Sequence, residues 1–431
     1  MNSTITQQFT AAYERRFGAQ GDGISDPLSA VRNAAMTQFS ETGIPLRSEA
    51  WKYTNVSRFL EQTFYDAEES SIDSKAFAFP KTDGWLAVCI NGRYQQHLSH
   101  GPEQKGVVVT GLAAAAALDQ SIAAEQLGSY ALITDEPLVA LNAAFATDGV
   151  YVKIDPGVTA DFPIHIVNVI AGDLSVISQA RHLINVGDAA TATVVEHDIA
   201  KVAARCFTNT VVEAHVGPNA SLEHYRLQEK AGADHVDSTF VRQERESRYK
   251  SCLVSTGDGV VRNNLSVHVA GEHCHTHLLG LALAAGKGHI DNYTLIDHAE
   301  PNCGSDELYK SILGGEAVSV FRGKLFVRKD AQKTAAFQSN RNLLLSDDAV
   351  ANALPQLEIY ADDVKCSHGA TTGLLDQEAL FYLRARGISR PQARRMLIEA
   401  FVDEVVSEMR DDDMRQRFGE ILGSFLADTP L

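Results

Sequence analysis

Apolar positions along the chain change their period twice, from helical to strand-like near residue 150 and back to helical after Thr371. Residues 4–60 read as helical. Asp26 stands as an N-cap, Pro27 at the first helical position and Gly43 beyond the end, and Leu28, Val31, Ala35 and Phe39 fall on one face between them. Residues 61–145 mix signals, with an apolar strand over Trp85–Ile90 and an alanine-rich helix over Leu112–Leu118. Near the C-terminus Asp376 can cap a helix over Gln377–Arg386 and Gly387 stops it. Ser389 opens a longer helix through Met409, with Ala393, Leu397, Ala400, Phe401 and Val405 as its apolar stripe. In the last segment Phe418, Ile421, Leu422 and Phe425 recur at helical spacing, as expected for packing against the preceding helix.

Between these helical ends the period is two. Val150, Val152 and Ile154 alternate with Tyr151, Lys153 and Asp155, and glycine turns then recur at Asp155-Pro156-Gly157, Asn185-Val186-Gly187-Asp188 and His215-Val216-Gly217-Pro218, about 30 residues apart each time. Later turns at Ala270-Gly271-Glu272, Gly286-Lys287-Gly288 and Gly314-Gly315 keep strand-sized separations while the register slips. Equal spacing favours stacked coils, a β-solenoid, over a two-sheet sandwich. Each coil of such a stack buries its apolar face only against its neighbours, so the ends need covers, and helical segments flank both. The predicted fold is mainly β, with a helical and mixed domain over residues 1–145, a β-solenoid core over 146–372 and a helical domain over 373–431.

Composition narrows the partners. The 431 residues carry 55 Asp and Glu against 38 Lys and Arg, and the formal charge of -17 repels phosphate backbones, which excludes nucleic acid. The first residues lack a basic segment followed by an apolar one, and no run of about 18 apolar residues occurs, so a cytoplasmic chain outside the membrane is expected. Cys89, Cys206, Cys252, Cys274, Cys303 and Cys366 lie far apart with no CxxC pair and read as reduced thiols, Cys89 within the apolar run as a core thiol.

Three segments could carry chemistry. On a strand, His273-Cys274-His275-Thr276-His277 would send three imidazoles to one side roughly 7 Å apart, within reach of a metal. Cupin-type sites follow His-x-His with a glutamate, however, and Leu278 to Gly288 contains no acid. His289-Ile290-Asp291-Asn292 with Asp297-His298 could form an acid–base couple or, more simply, a polar ladder that holds turns. No P-loop is present, because Gly288 stands where serine or threonine is required, and no Gly-x-Ser-x-Gly elbow occurs. In Pro355 to Thr371, Cys366 and His368 are two residues apart, so an extended strand points thiol and imidazole the same way, which suits a soft transition metal. Two donors are not a site. A stable iron or zinc centre needs about four, and the remainder must come from elsewhere in this chain or from another subunit.

At that segment, Asp362-Asp363-Val364-Lys365-Cys366-Ser367-His368-Gly369-Ala370-Thr371, the chain resembles the SufB/SufD family of SUF iron–sulfur cluster assembly scaffolds. Further blocks are similar to the SufD branch rather than to SufB: Arg47-Ser48-Glu49-Ala50-Trp51-Lys52-Tyr53-Thr54, Leu141-Asn142 through Asp148-Gly149, Gln338 to Leu345 and Leu380 to Ile388. Together they run from about residue 45 to 405. The resemblance implies a right-handed parallel β-helix between helical terminal domains, a SufB partner joined through the β-helix, and the ATPase SufC bound by the C-terminal helices from about Asp376 to Met409. Phe381, Tyr382, Arg384, Arg386, Gly387, Leu397 and Phe401 would then be SufC contacts. By motif position His368, with Cys366 beside it, would be this chain's contribution to a transient iron or cluster site at the SufB junction, while SufB supplies the essential thiolate. Whether Cys366 meets iron or stays a buried thiol is open at this point. Reduced flavin can be recruited by such complexes, and ATP hydrolysis would belong to SufC, leaving this chain a non-enzymatic scaffold. Two rivals remain: a metal-dependent solenoid or cupin-like enzyme on His273, His275, His277 and His289, and a homodimeric scaffold that works without SufB.

Overall fold

The computed structural model describes residues 2–18, 26–44, 49–60, 64, 77, 79–172, 175–202, 204–229, 232–257 and 259–429. Arg47 and Ser48 of the N-terminal block lie outside them. The alternating runs after Val150 form strands that feed two sheets in turn. Trp85–Ile90, Ile164–Gly172, Thr191–Val202, Ser221–Glu229, Arg248–Gly257, His275–Ala284, Gly304–Leu313, Ala335–Leu344 and Lys365–Leu374 stack in that order in the first sheet. The second sheet runs from Val107–Gly111 through Val150–Ile154, Arg181–Val186, Cys206–Val216, Ala233–Gln243, Val260–Val269 and His289–His298 to Val318–Val327 and Val350–Ala353. Core neighbours pair in parallel, as Ser221–Glu229 does with the strands on both sides, so the chain winds as a parallel β-helix.

Coil length explains why the turn repeat fades from the sequence. Paired side chains on successive coils are 27 residues apart at Gln228 and Ser255 and 31 at Glu307 and Gln338. Structural register survives these changes because one corner keeps its backbone shape. Ala189, Asn219, Glu246, His273, Asn302 and Lys333 all have φ between 54° and 61°, and the Asn219 and Asn302 amides donate to the next coil at 2.8 and 2.9 Å. Close stacking there accounts for two of the periodic glycines: a Cβ on Gly187 would lie 2.8 Å from the Pro156 nitrogen, and one on Gly217 3.0 Å from that of Asp188.

Alternate side chains fill the interior, and the outward ones are covered by helices along both flanks. Val195, Leu227, Val254, Leu281 and Ile312 on the outer face of the first sheet share one apolar cluster with Ile398, Val402, Phe418, Ile421, Leu422 and Phe425. The final helix, Asp412–Asp428, thus buries its apolar side with both the sheet and the preceding helix, Arg390–Val406. In the latter, Ile398 and Val402 are buried and Ala400 is exposed, a rotation of the expected stripe toward the sheet. On the other flank Phe9, Phe39, Trp51, Leu141 and Phe145 pack on Phe207, Val236 and Val260 of the second sheet. A turn over Pro27 and Leu28 precedes the helix Ser29–Thr42, and Asp26 closes it as the cap signal suggests, its carboxylate accepting the Leu28 amide at 3.0 Å and pairing with Arg32.

Polar anchors fix the N-terminal flank. Glu213, fully buried, accepts the amides of Gly128, Tyr130 and Ala131 at 2.8 to 3.1 Å and pairs with Arg181 at 2.6 Å. Arg262 lies 4.8 Å over the Trp51 ring and pairs with Asp291, to which the Thr54 hydroxyl also donates, while Thr54 meets His289 Nε2 at 2.8 Å. His289 and Asp291 therefore hold the Trp51–Thr54 segment against the sheet, whereas Asn292 turns inward to Asn263. No helix among the described residues is long and apolar enough to cross a membrane.

The expectation that both ends of the stack carry covers needs correction. Antiparallel strands, Arg93–Tyr94 in one sheet and Val107–Gly111 in the other, finish the first end. The C-terminal helices lie along the flank instead of over the second end, and every residue of the last strand, Lys365–Leu374, is exposed except the half-buried Cys366. The physical reason is the outward apolar row of the first sheet, Val195, Leu227, Val254, Leu281 and Ile312, which these helices bury.

Candidate functional site

The bare rim is where the sequence places its thiol and imidazole. Among the described residues Lys365–Leu374 pairs on one side only, with Ala335–Leu344, and its other backbone edge faces away from the stack. Register puts Cys366 over Ala336 and His368 over Gln338, two inward-facing buried residues, so both donors continue the interior column at its open end. Cys366 packs against Val327, Ala331 and Ala361, and burial pushes its thiol above the ordinary value. His368 is exposed, and Gly369 and Gly373 have nothing near the position a Cβ would take. Around them Tyr360 is 60% exposed and Leu374 62%, with Phe337, Val350 and Ile359 also open. Such an edge is a template for pairing.

Beneath His368 lies a polar pair that sequence reading missed. Gln338 Nε2 donates to Glu307 Oε2 at 2.6 Å, and burial pushes Glu307 up to about 7. Their other oxygens, Glu307 Oε1 and Gln338 Oε1, have no hydrogen-bond partner among the described residues. Only an alignment of coils could have found them, since they are neighbours by stacking and 31 residues apart by sequence.

The other imidazoles are placed differently. His273 stands at the left-handed corner, not on a strand, so it cannot align with His275 and His277 as the extended reading requires. Its Nε2 is 3.8 Å from Glu272, and that of His275 is 3.4 Å from Asp306. His277 is half-buried, and burial lowers its basicity. All three sit three strands back from the rim. Among the described residues the group of three or more close donors is instead Asp198, His235 and Asp237, buried in the interior with ligand atoms within 4.8 Å of one another. There the Arg226 guanidinium already holds Asp237 at 2.7 Å, and Gln228 Nε2 lies 2.9 Å from His235 Nε2. Burial raises Asp237 to about 6 even with Arg226 opposing it.

Of the C-terminal candidates, Phe381 is 74% exposed and Tyr382 56%, with Arg386 stacked 3.5 Å over the Tyr382 ring. Arg384 and Gly387 are exposed as well. Leu397 and Phe401 are half-buried against the sheet-facing cluster, and the Lys310 ammonium lies 4.9 Å over the Phe401 ring.

Comparison with known proteins covers nearly the whole chain. Residues 168–401 match the family described as SUF system FeS cluster assembly, SufBD core domain, and residues 3–166 match the SufBD protein N-terminal region. The iron-sulfur cluster assembly protein SufD of Escherichia coli is 32% identical over 388 residues, 89% of each chain. A SufBD family iron-sulfur cluster assembly protein of Synechocystis is 33% identical over 84% of this chain and 83% of its own length. The chloroplastic protein ABCI7 of Arabidopsis thaliana is 39% identical over 49% of this chain and 45% of its own.

Proposed function

This chain belongs to the SufBD family of the SUF iron–sulfur cluster assembly system and is a SufD-type subunit, and from that membership we propose that it is a non-enzymatic scaffold whose bare rim joins a SufB partner. The observation that carries the reading is the exposed edge strand with Cys366 and His368 on its inward-facing column. An unpaired backbone edge bordered by open apolar side chains is completed by another chain, and a donor pair is completed by a partner's ligands. His368 is this chain's ligand for iron or the nascent cluster. A neutral imidazole binds iron more weakly than thiolate does, which lets a finished cluster leave, and the SufB thiolate supplies the firmer hold. Cys366 lies beside that ligand, half-buried against Val327, Ala331 and Ala361, as the second donor of the half-site, and metal binding there displaces the proton that burial favours.

SufC docks on the C-terminal helical domain, residues 373–431, through the exposed Phe381, Tyr382, Arg384, Arg386 and Gly387. Leu397 and Phe401 join docking to the sheet from beneath. Motion of these helices reaches the first sheet through Lys310, which donates to the Phe401 carbonyl and to Glu404 at 2.7 Å each. Cluster assembly by co-purified SufB, SufC and the His368→Ala chain tests the reading: assembly should fail while the complex stays intact. Unchanged assembly in that complex removes the ligand role.

A further inference from the structure

Two of the six cysteines stack on one another at the left-handed corner. Cys274 follows His273 and Cys303 follows Asn302, the left-handed residues of successive coils, and the Gly304 amide donates to the Cys274 carbonyl at 2.9 Å. Equivalent places on neighbouring coils hold Ala220, Ser247 and Thr334, so the thiol pair interrupts a column of small residues. Neighbouring coils are spaced at about 4.8 Å, inside the 4.4 to 6.8 Å span of Cα atoms that a disulfide bridges. Both thiols are free and 2% exposed, the Cys274 thiol donating to the Glu244 carbonyl at 2.9 Å and the Cys303 thiol to the Gly271 carbonyl at 3.2 Å. They lie one residue beneath His273, whose side chain is about half exposed.

We propose that Cys274 and Cys303 form a thiol-oxidation site, closing to an intramolecular disulfide when the oxidant is a hydroperoxide. The Cys274 sulfur attacks the peroxide, an S–O bond forms as the O–O bond breaks, and with hydrogen peroxide the departing hydroxide takes up a proton as water. Cys303 then attacks the Cys274 sulfenic acid, the S–S bond forms and a second water leaves. Two thiols are oxidised and one peroxide is reduced. Cys274 is the attacking member. The Ser247 hydroxyl lies 3.5 Å from its sulfur and can donate to the thiolate once the thiol's hydrogen bond to the Glu244 carbonyl at 2.9 Å is released. A small dithiol reverses the bond by exchange.

The test is hydrogen peroxide treatment of the full chain, followed by non-reducing peptide mapping and thiol counting. Loss of two thiols and a linked Cys274–Cys303 peptide that dithiothreitol removes are expected. In Cys303→Ser the linked peptide should vanish, and dimedone should label Cys274 as sulfenic acid at least tenfold more than Cys89 or Cys252. Absence of the linked peptide from the unmodified chain, under peroxide that fully oxidises glutathione, overturns the proposal. So does dimedone labelling spread evenly over the cysteines.

Discussion

The two ends of the β-helix are built from the same coils and finished in opposite ways. The first end closes with antiparallel strands and is bordered by a helical flank that adds specific polar anchors to its apolar packing, with Glu213 meeting three amides and an arginine. The second ends on a single strand with exposed side chains and, among the described residues, an unpaired backbone edge. A solenoid gains stability from each coil-to-coil contact and loses it at every uncovered end. The uncovered end is therefore the place where this protein gives up stability in its isolated form, and the pair of metal-competent donors lies there.

The largest break in this comparison comes at the covered flank. Glu213→Ala leaves Arg181 without its carboxylate partner and three amides without an acceptor, and should cost about 3–5 kcal/mol in denaturant unfolding. Phe418→Ala, which empties a buried position between the last helix and the sheet, should cost about 3–4 kcal/mol by the same measurement. Tyr360→Ala and Leu374→Ala at the rim should change the isolated chain's stability by less than about 0.5 kcal/mol while weakening its association with SufB in a pull-down. Equal losses at rim and flank would erase the distinction.

A smaller effect reads the interior just below the rim. Glu307 has a folded value near 7, above the usual 4.5, so it takes up its proton more readily when folded. Its contribution is fully present below pH 4.5 and is lost as pH rises through 7. Unfolding titrations should show wild type losing about 1.4 kcal/mol per pH unit relative to Glu307→Gln across that interval. A difference that does not vary with pH would mean that Glu307 is ionised in the folded chain.

Much of the architecture was legible because a local rule wrote it. Trp85–Ile90, Leu112–Leu118 and Val150–Ile154 form where period and composition place them, and Asp376 caps its helix through the Glu378 and Ala379 amides. The glycine turns revealed stacking where coils are equal in length and lost it where lengths drift. What pattern could not show was which surfaces the terminal helices cover. Their stripes read as apolar either way, and only the outward row of the first sheet decides that they lie on the flank. The same limit applies at the site. Cys366 and His368 are near in sequence and could be paired by eye, whereas Glu307 and Gln338 come together only across coils. His273 misled because an alternating string of histidines looks extended, and its left-handed φ of 59° is set by the corner it shares with five other coils.

The most direct measurement is iron bound per chain, determined for the purified chain alone, for its complex with SufB, and for that complex carrying His368→Ala. A half-site at the rim predicts negligible tight binding alone, binding in the complex, and loss of that binding in the variant. Stoichiometric iron held by the isolated chain would contradict it.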